Sequence, residues 1–232
     1  MKKIYLTLFF TITLSSELIL EITQGTENPF RVALLEFDGD KNISNQIDDI
    51  IKNNLKRSGE FEIFEGSDLL SIPSNESEVI FNDFKILNID YLVMGKIKKD
   101  GSSLSVIYEV YEIKKGKKIR TSTVFGIPNK NRQLGHYISD GIYEEITGIK
   151  GIASTKILYI TENESFNLVI ADADGSNEQI LLKSNEPIIS PSWSPDSKKV
   201  AYVSFESGMA KVYIQDIACL LYTSDAADET GR

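Results

Sequence analysis

A chain of 232 residues, 41% hydrophobic and 25% charged, is long enough for one large packed domain or two small ones. Its 34 acidic residues against 25 basic ones give a formal net charge of −9, which leaves no cationic surplus for phosphates and excludes a general nucleic-acid binder. With one cysteine (Cys219) and one histidine (His136), no internal disulfide, cysteine-based metal site or multi-histidine zinc site can form. Any Ser-His-Asp triad would have to use His136.

In chain order, Lys2 and Lys3 precede an apolar run from Ile4 to Leu14 that Ser15, Ser16 and Glu17 interrupt. As a helix this run spans roughly 16 Å, about half the hydrocarbon core of a bilayer. Residues 1–16 therefore read as a cleaved Sec-type signal peptide, not an anchor, and predict export. ELILEITQG (17–25) alternates weakly, and residues 17–29 form an N-terminal segment ahead of a strong strand, RVALLEF (31–37). A helix follows, with Ser44 as its expected N-cap, Ile47, Ile50, Ile51 and Leu55 on one face, and Gly59 at its end. FEIF (61–64) is a short strand, and a second helix is predicted over Glu78 to Leu87. YLVMGKI (91–97), LSVIYEVYEI (104–113) and IRTSTVF (119–125) read as an antiparallel meander turned at Asp100-Gly101 and at the lysine-rich tip Lys114–Lys118. A third helix from Arg132 to Ile146 buries Leu134, Ile138 and Ile142. Residues 30–147 thus predict an α/β domain, one mixed sheet with two or three helices. Residues 148–155, which overlap TGIKGIAS (147–154), read as a linker.

After the linker the helical patterns stop and a repeat appears. KILYI (156–160) matches KVAYV (199–203) at a spacing of 43, and LVIAD (168–172) matches VYIQD (212–216) at 44. Short strands at that period are the mark of propeller blades, so residues 156–218 predict the start of an incomplete all-β propeller. The blade motif lies in SPSWSPDSKKVAYVS (190–204). Ser192, Trp193, Ser194, Pro195 and Asp196 carry it: Trp193 as an apolar anchor between blades, Pro195 fixing one φ of a tight turn, and Asp196 bonding its own backbone.

These residues resemble the TolB family of periplasmic propeller proteins. LKRSGEFEIF (55–64), LNIDYLVMGKI (87–97), GHYISDGIYEEITGIKG (135–151) and PIISPSWSPDSKKVAYVSFESG (187–208) look like stretches of that family in the same order. Ser197 departs from the pattern, which has glycine there, and suggests a different turn geometry. The resemblance implies a periplasmic scaffold, not an enzyme, with an α/β domain and a six-bladed propeller and no cofactor or metal. It implies binding of a Pal-like peptidoglycan-associated lipoprotein through the propeller and of a TolA-like domain through the N-terminal segment, in support of outer-membrane invagination at division. Carried onto this chain, the TolA-binding strand would be Glu17, Leu18, Ile19, Leu20, Glu21 and Ile22, able to add to an exposed sheet edge. Association with membranes would be through partners only.

CLLYTSDAADE (219–229) matches the translation of a transposase-end sequencing adapter, so residues 219–232 are expected to be foreign and further blades to be missing from the record. Blades of this kind also precede the hydrolase domain of prolyl-oligopeptidase-like peptidases, but no G-x-S-x-G occurs here. Asp172-Ala173-Asp174-Gly175 resembles the start of a calcium loop, yet Lys183 stands where the closing glutamate belongs, so a turn is the better reading. His136 is expected to be a surface or interdomain hydrogen-bonding residue.

Overall fold

The structure is a computed structural model and describes residues 28–218. Residues 1–16, read as a signal peptide, residues Glu17–Ile22, read as a partner-binding strand, and the stretch from Cys219 onward lie outside the described residues. Among the described residues no helix is long and apolar enough to cross a membrane.

The N-terminal half is a five-stranded mixed sheet between helices. β1 (Phe30–Leu34) is its parallel centre, pairing with β2 (Phe61–Phe64) on one side and β3 (Tyr91–Asp100) on the other. β4 (Ser103–Glu112) and β5 (Lys117–Gly126) continue antiparallel, giving the order β2-β1-β3-β4-β5. The hairpins turn at Gly101 and Gly116, whose φ of +57° and +64° favours glycine. Between β1 and β2 runs α1 (Lys41–Arg57); α2 (Phe81–Ile86) precedes β3, and α3 (Asn131–Thr147) follows β5.

β1 stops at Leu34, short of the strand read over 31–37, β3 runs on to Asp100, and two helix starts also differ from the sequence reading. The cap of α1 is Asp40, not Ser44: its extended backbone lets the carboxylate accept the N–H groups of Asn42 and Ile43 at 3.0 and 3.3 Å, while Ser44 is buried one turn inside. The second helix shrinks because Asn75 caps a separate 3-10 turn, Glu76–Glu78, so the α-helix starts only at Phe81.

Alternation along the strands splits the apolar residues between two layers. Val32, Val93, Val106, Tyr108 and Val110 face α1 and α3, which contribute Ile47, Ile51, Leu55, Ile138 and Ile142. Ala33, Leu92, Met94, Tyr111 and Ile113 face the other way and are covered by α2 and its flanks through Phe84 and Ile89. The lysine-rich tip is solvated only in part: Lys118 turns back to pair with Glu76 and Glu109 at 2.6 and 2.9 Å.

The second half contains two antiparallel three-stranded sheets. β6 (Lys156–Glu162), β7 (Phe166–Asp172) and β8 (Gln179–Ser184) form one, with order β6-β7-β8. β9 (Ile188–Trp193), β10 (Lys199–Ser204) and β11 (Lys211–Asp216) form the other, with order β11-β10-β9. The sequence repeat superposes the β6–β7 hairpin on β10–β11. One sheet therefore shows the strand that follows this hairpin and the other the strand that precedes it, and together they define a four-stranded blade. Leu168, Ile170, Leu181, Ile188, Val200 and Tyr202 fill the space between the two sheets, with Trp193 packed against them. Val212 and Ile214 are exposed on the far face.

The turn after Trp193 is held as the motif implies. Ser194 Oγ donates to Asp196 Oδ1 at 2.6 Å, the same oxygen accepts the Lys198 N–H at 3.1 Å, and the Ser197 N–H closes on the Ser194 carbonyl at 2.9 Å. The expected change of turn geometry is not found. Ser197 has φ +58°, the left-handed conformation that suits glycine. Ser197→Gly is therefore expected to stabilise the propeller half by about 0.5–1 kcal/mol, read as a rise in its urea midpoint; no rise would mean that serine is unstrained there.

A second prediction comes from α1. Asp48 Oδ2 accepts the Phe37 N–H at 3.0 Å, whereas Oδ1 is buried without a partner. Burial, aided by the carboxylates of Glu36 and Asp49, pushes its carboxyl up from 3.8 to about 7. A folded pKa above the unfolded one means that the contribution to stability is full below about pH 4 and lost as pH rises through about 7. Asp48→Asn should remove this loss, so its melting temperature relative to the parent is expected to climb by a few degrees between pH 5 and pH 9. A constant difference across that range would show that Asp48 does not titrate there.

Candidate functional site at the domain junction

Three elements from distant parts of the chain meet where the halves join. α3 presents Arg132, His136, Ser139 and Asp140 along one face, since residues three or four apart on a helix are neighbours. The last turns of α1 bring Asn54 and Arg57, and the β7–β8 turn brings Asp172 and Asp174.

The contacts orient one another in series. Arg57 donates to Asn54 Oδ1 at 3.2 Å, which fixes the amide so that its nitrogen faces α3. That nitrogen donates to His136 Nδ1 at 2.8 Å and to Ser139 Oγ at 3.0 Å; Ser139 in turn donates to the Gly135 carbonyl at 2.7 Å. Because Nδ1 accepts, the proton of the neutral imidazole sits on Nε2. Nε2 points at Asp174 Oδ2 and Asp172 Oδ2, 3.7 and 4.0 Å away, too far to bond directly. His136 is only 3% exposed, and its Nε2 has no hydrogen-bond partner.

The two carboxylates are already engaged. Arg132 pairs with Asp174 and donates to Ser176 Oγ at 2.7 Å; Lys156 pairs with Asp172, which also accepts from Asn177 at 2.6 Å. Burial works to raise both acids. Lys156 and Asn177 at Asp172, and the Ser176 N–H and Arg132 at Asp174, outweigh it and hold both below the usual carboxylate range. His136 is pushed down, first by burial, with the aspartates opposing and Arg132 and Arg57 reinforcing.

This arrangement discriminates between chemistries. His136, Asp172 and Asp174 place one ligand-type atom each within 4.8 Å of one another. An ion there would have to displace Arg132 from Asp174 and take an Nε2 that carries the proton, so the residues do not fit a metal in this arrangement. Ser139, the hydroxyl nearest the imidazole in sequence, is spent on Gly135 and Asn54 and is not aligned as a nucleophile. What the cluster does is join the halves.

The segment read as a linker is tied down beside it. Asp140 accepts the N–H groups of Ala153 and Ser154 at 2.7 and 2.9 Å, and Thr147 Oγ1 accepts that of Ile149 at 3.1 Å. Gly151 permits this approach, because a Cβ there would lie 2.4 Å from Asp140 Oδ1. A cavity of about 310 Å³ opens alongside, lined by Leu55, Arg57, Tyr143, Ile149 and Ile152 among others.

Residues 18–119 match the family model of the TolB amino-terminal domain, and residues 143–227 match that of the TolB beta propeller domain, in this order along one chain. The chain belongs to the TolB family. It is 40% identical over 218 residues to the Tol-Pal system protein TolB of Alcanivorax borkumensis, covering 91% of this chain and 50% of that protein. It is 38% identical to the Tol-Pal system protein TolB of Hahella chejuensis, covering 93% and 53%. A crystal structure of TolB from Acinetobacter baumannii superposes with a TM-score of 0.74 at 33% identity, over 86% of this chain and 50% of that one. The chain thus spans about half the length of the TolB relatives it matches.

Of the residues singled out in the sequence, Glu17–Ile22 lie outside the described residues. Ser192–Asp196 sit in the second sheet, at the end of β9 and in the turn after it, separate from the junction cluster. The sequence reading treated His136 and the Asp172–Gly175 turn separately, and the TolB fold brings them together. Asn54, Arg57, Arg132, Asp140 and Lys156 were missed; only the helical spacing of Arg132, His136 and Asp140 could have drawn attention to them. Asp140→Ala is expected to release residues 149–154 and to speed tryptic cleavage at Lys150 several-fold, leaving the rest of the α/β domain resistant. Unchanged cleavage would show that the segment is held by other means.

Proposed function

We propose that the protein is a non-enzymatic periplasmic scaffold of the Tol–Pal system, exported by its N-terminal signal peptide. In this reading it holds a Pal-like peptidoglycan-associated lipoprotein through the propeller and a TolA-like domain through residues 17–22, and so supports outer-membrane invagination at division and envelope integrity. The observation that carries it is the order of the two TolB domain matches on one chain, together with the TolB relatives that bear the name of the Tol–Pal system.

An apolar strand can add to a partner's sheet edge through its backbone, with alternate side chains supplying specificity. Leu18, Leu20 and Ile22 lie at alternate positions of the proposed strand. With the TolA-like domain of the same organism, the chain is expected to form a complex measurable by titration calorimetry. Replacing Leu18, Leu20 and Ile22 by aspartate should weaken it at least about tenfold, or about 1.4 kcal/mol. Equal affinity of the parent and the triple variant would sink the assignment of that segment.

A further inference from the structure

The junction contains a hydrogen bond that one proton would break. We infer that the Asn54–His136 contact is an acid-sensitive latch: protonation of His136 at Nδ1 removes one polar tie between α3 and α1 and sets a further positive charge beside Arg132, where α3 holds the β7–β8 turn. This goes beyond the scaffold role and does not depend on it.

The argument is one of donors and acceptors. Neutral His136 carries its proton on Nε2 and uses the Nδ1 lone pair to accept from Asn54. The imidazolium has a proton on both nitrogens, so Nδ1–H would face the Asn54 N–H, donor against donor. The amide cannot turn over to help. Its oxygen is held by Arg57 and its other N–H by Ser139, so a turned amide would aim its nitrogen at the Arg57 guanidinium and leave Ser139 Oγ without that donor. Both partners are buried, His136 at 3% and Asn54 at 7% exposure, so loss of the bond sets two buried donors against each other.

The surrounding charges do not rescue the cation. Facing the ring are Arg57 from α1, Arg132 from α3, and Asp172 and Asp174 from β7 and its turn, with Lys156 of β6 bound to Asp172. Arg132 and Lys156 already neutralise the two carboxylates, and Arg57 adds a further positive charge. Protonated His136 would enter a cluster with a positive excess. A histidine pKa held below its unfolded value places the stabilising contribution above about pH 6.5 and removes it as pH falls through the folded value.

Hydrogen exchange of residues 149–155 and 172–176, corrected for the intrinsic pH dependence of exchange, tests this on the full chain. From pH 7.5 to pH 5.5 the parent is expected to lose protection several-fold in both segments, with about tenfold the ceiling for one proton over the pH unit below the unfolded value. His136→Gln, whose side chain does not titrate, should show no such loss. Asn54→Asp supplies a carboxylate that can accept from Nδ1–H as well as from Arg57, so its protection should rise on acidification. Parallel pH profiles for the parent and His136→Gln would overturn the latch, as would a flat parent profile or an Asn54→Asp profile that falls like the parent's.

Discussion

The junction depends on a close approach of two helices. Gly135 of α3 meets Ile50 of α1, and a Cβ at Gly135 would lie 2.7 Å from Ile50 Cγ2 and 3.4 Å from the Ile47 carbonyl. Without a side chain at that point the backbones draw near enough for Asn54 to reach across and hold both His136 and Ser139. Ile50 is therefore half-buried against α3, whereas Ile47, Ile51 and Leu55 sink into the sheet. The polar network is a consequence of apolar packing: the helices are set by what they bury, and the hydrogen bonds use the geometry that results.

Burying so much polarity is tolerable only because its members satisfy one another in turn. Arg57 orients Asn54, Asn54 orients His136, and Arg132 and Lys156 balance the aspartates that His136 faces. Removing one member would leave a buried group unpaired, which costs more than the bond itself contributes. The imperfect atoms are His136 Nε2 and Arg132 Nε, which lack a hydrogen bond within reach. Such a gap is where a network of this kind can respond to its surroundings.

Local patterns in the sequence disclosed the mixed sheet, the first and third helices and the blade repeat, because each leaves a period of two, of about four or of some 43 residues along the chain. They failed where two signals competed. Ser44 stands next to the apolar face of α1, but Asp40 has the extended backbone that a cap requires. The second helix lost its first residues to an Asn75-capped turn. Serine at 197 suggested a new turn, yet the surrounding bonds from Ser194 and Asp196 enforce the old one. The junction itself was illegible for a simpler reason. Asn54 and His136 are 82 positions apart, and no periodicity links residues so distant.

The segment from Thr147 to Ser154, with its two glycines, has the composition of slack. It has none in the structure, since Asp140 and Thr147 fasten it to the helix that precedes it. The two halves are therefore coupled as a stiff joint. Tension applied to the α/β domain would pass along α3 into the first sheet of the propeller and would not be absorbed by stretching the connection. A pull that separates the halves would have to break both the Asp140 clamp and the Arg132 contacts to the β7–β8 turn, in the manner of a joint held by two pins.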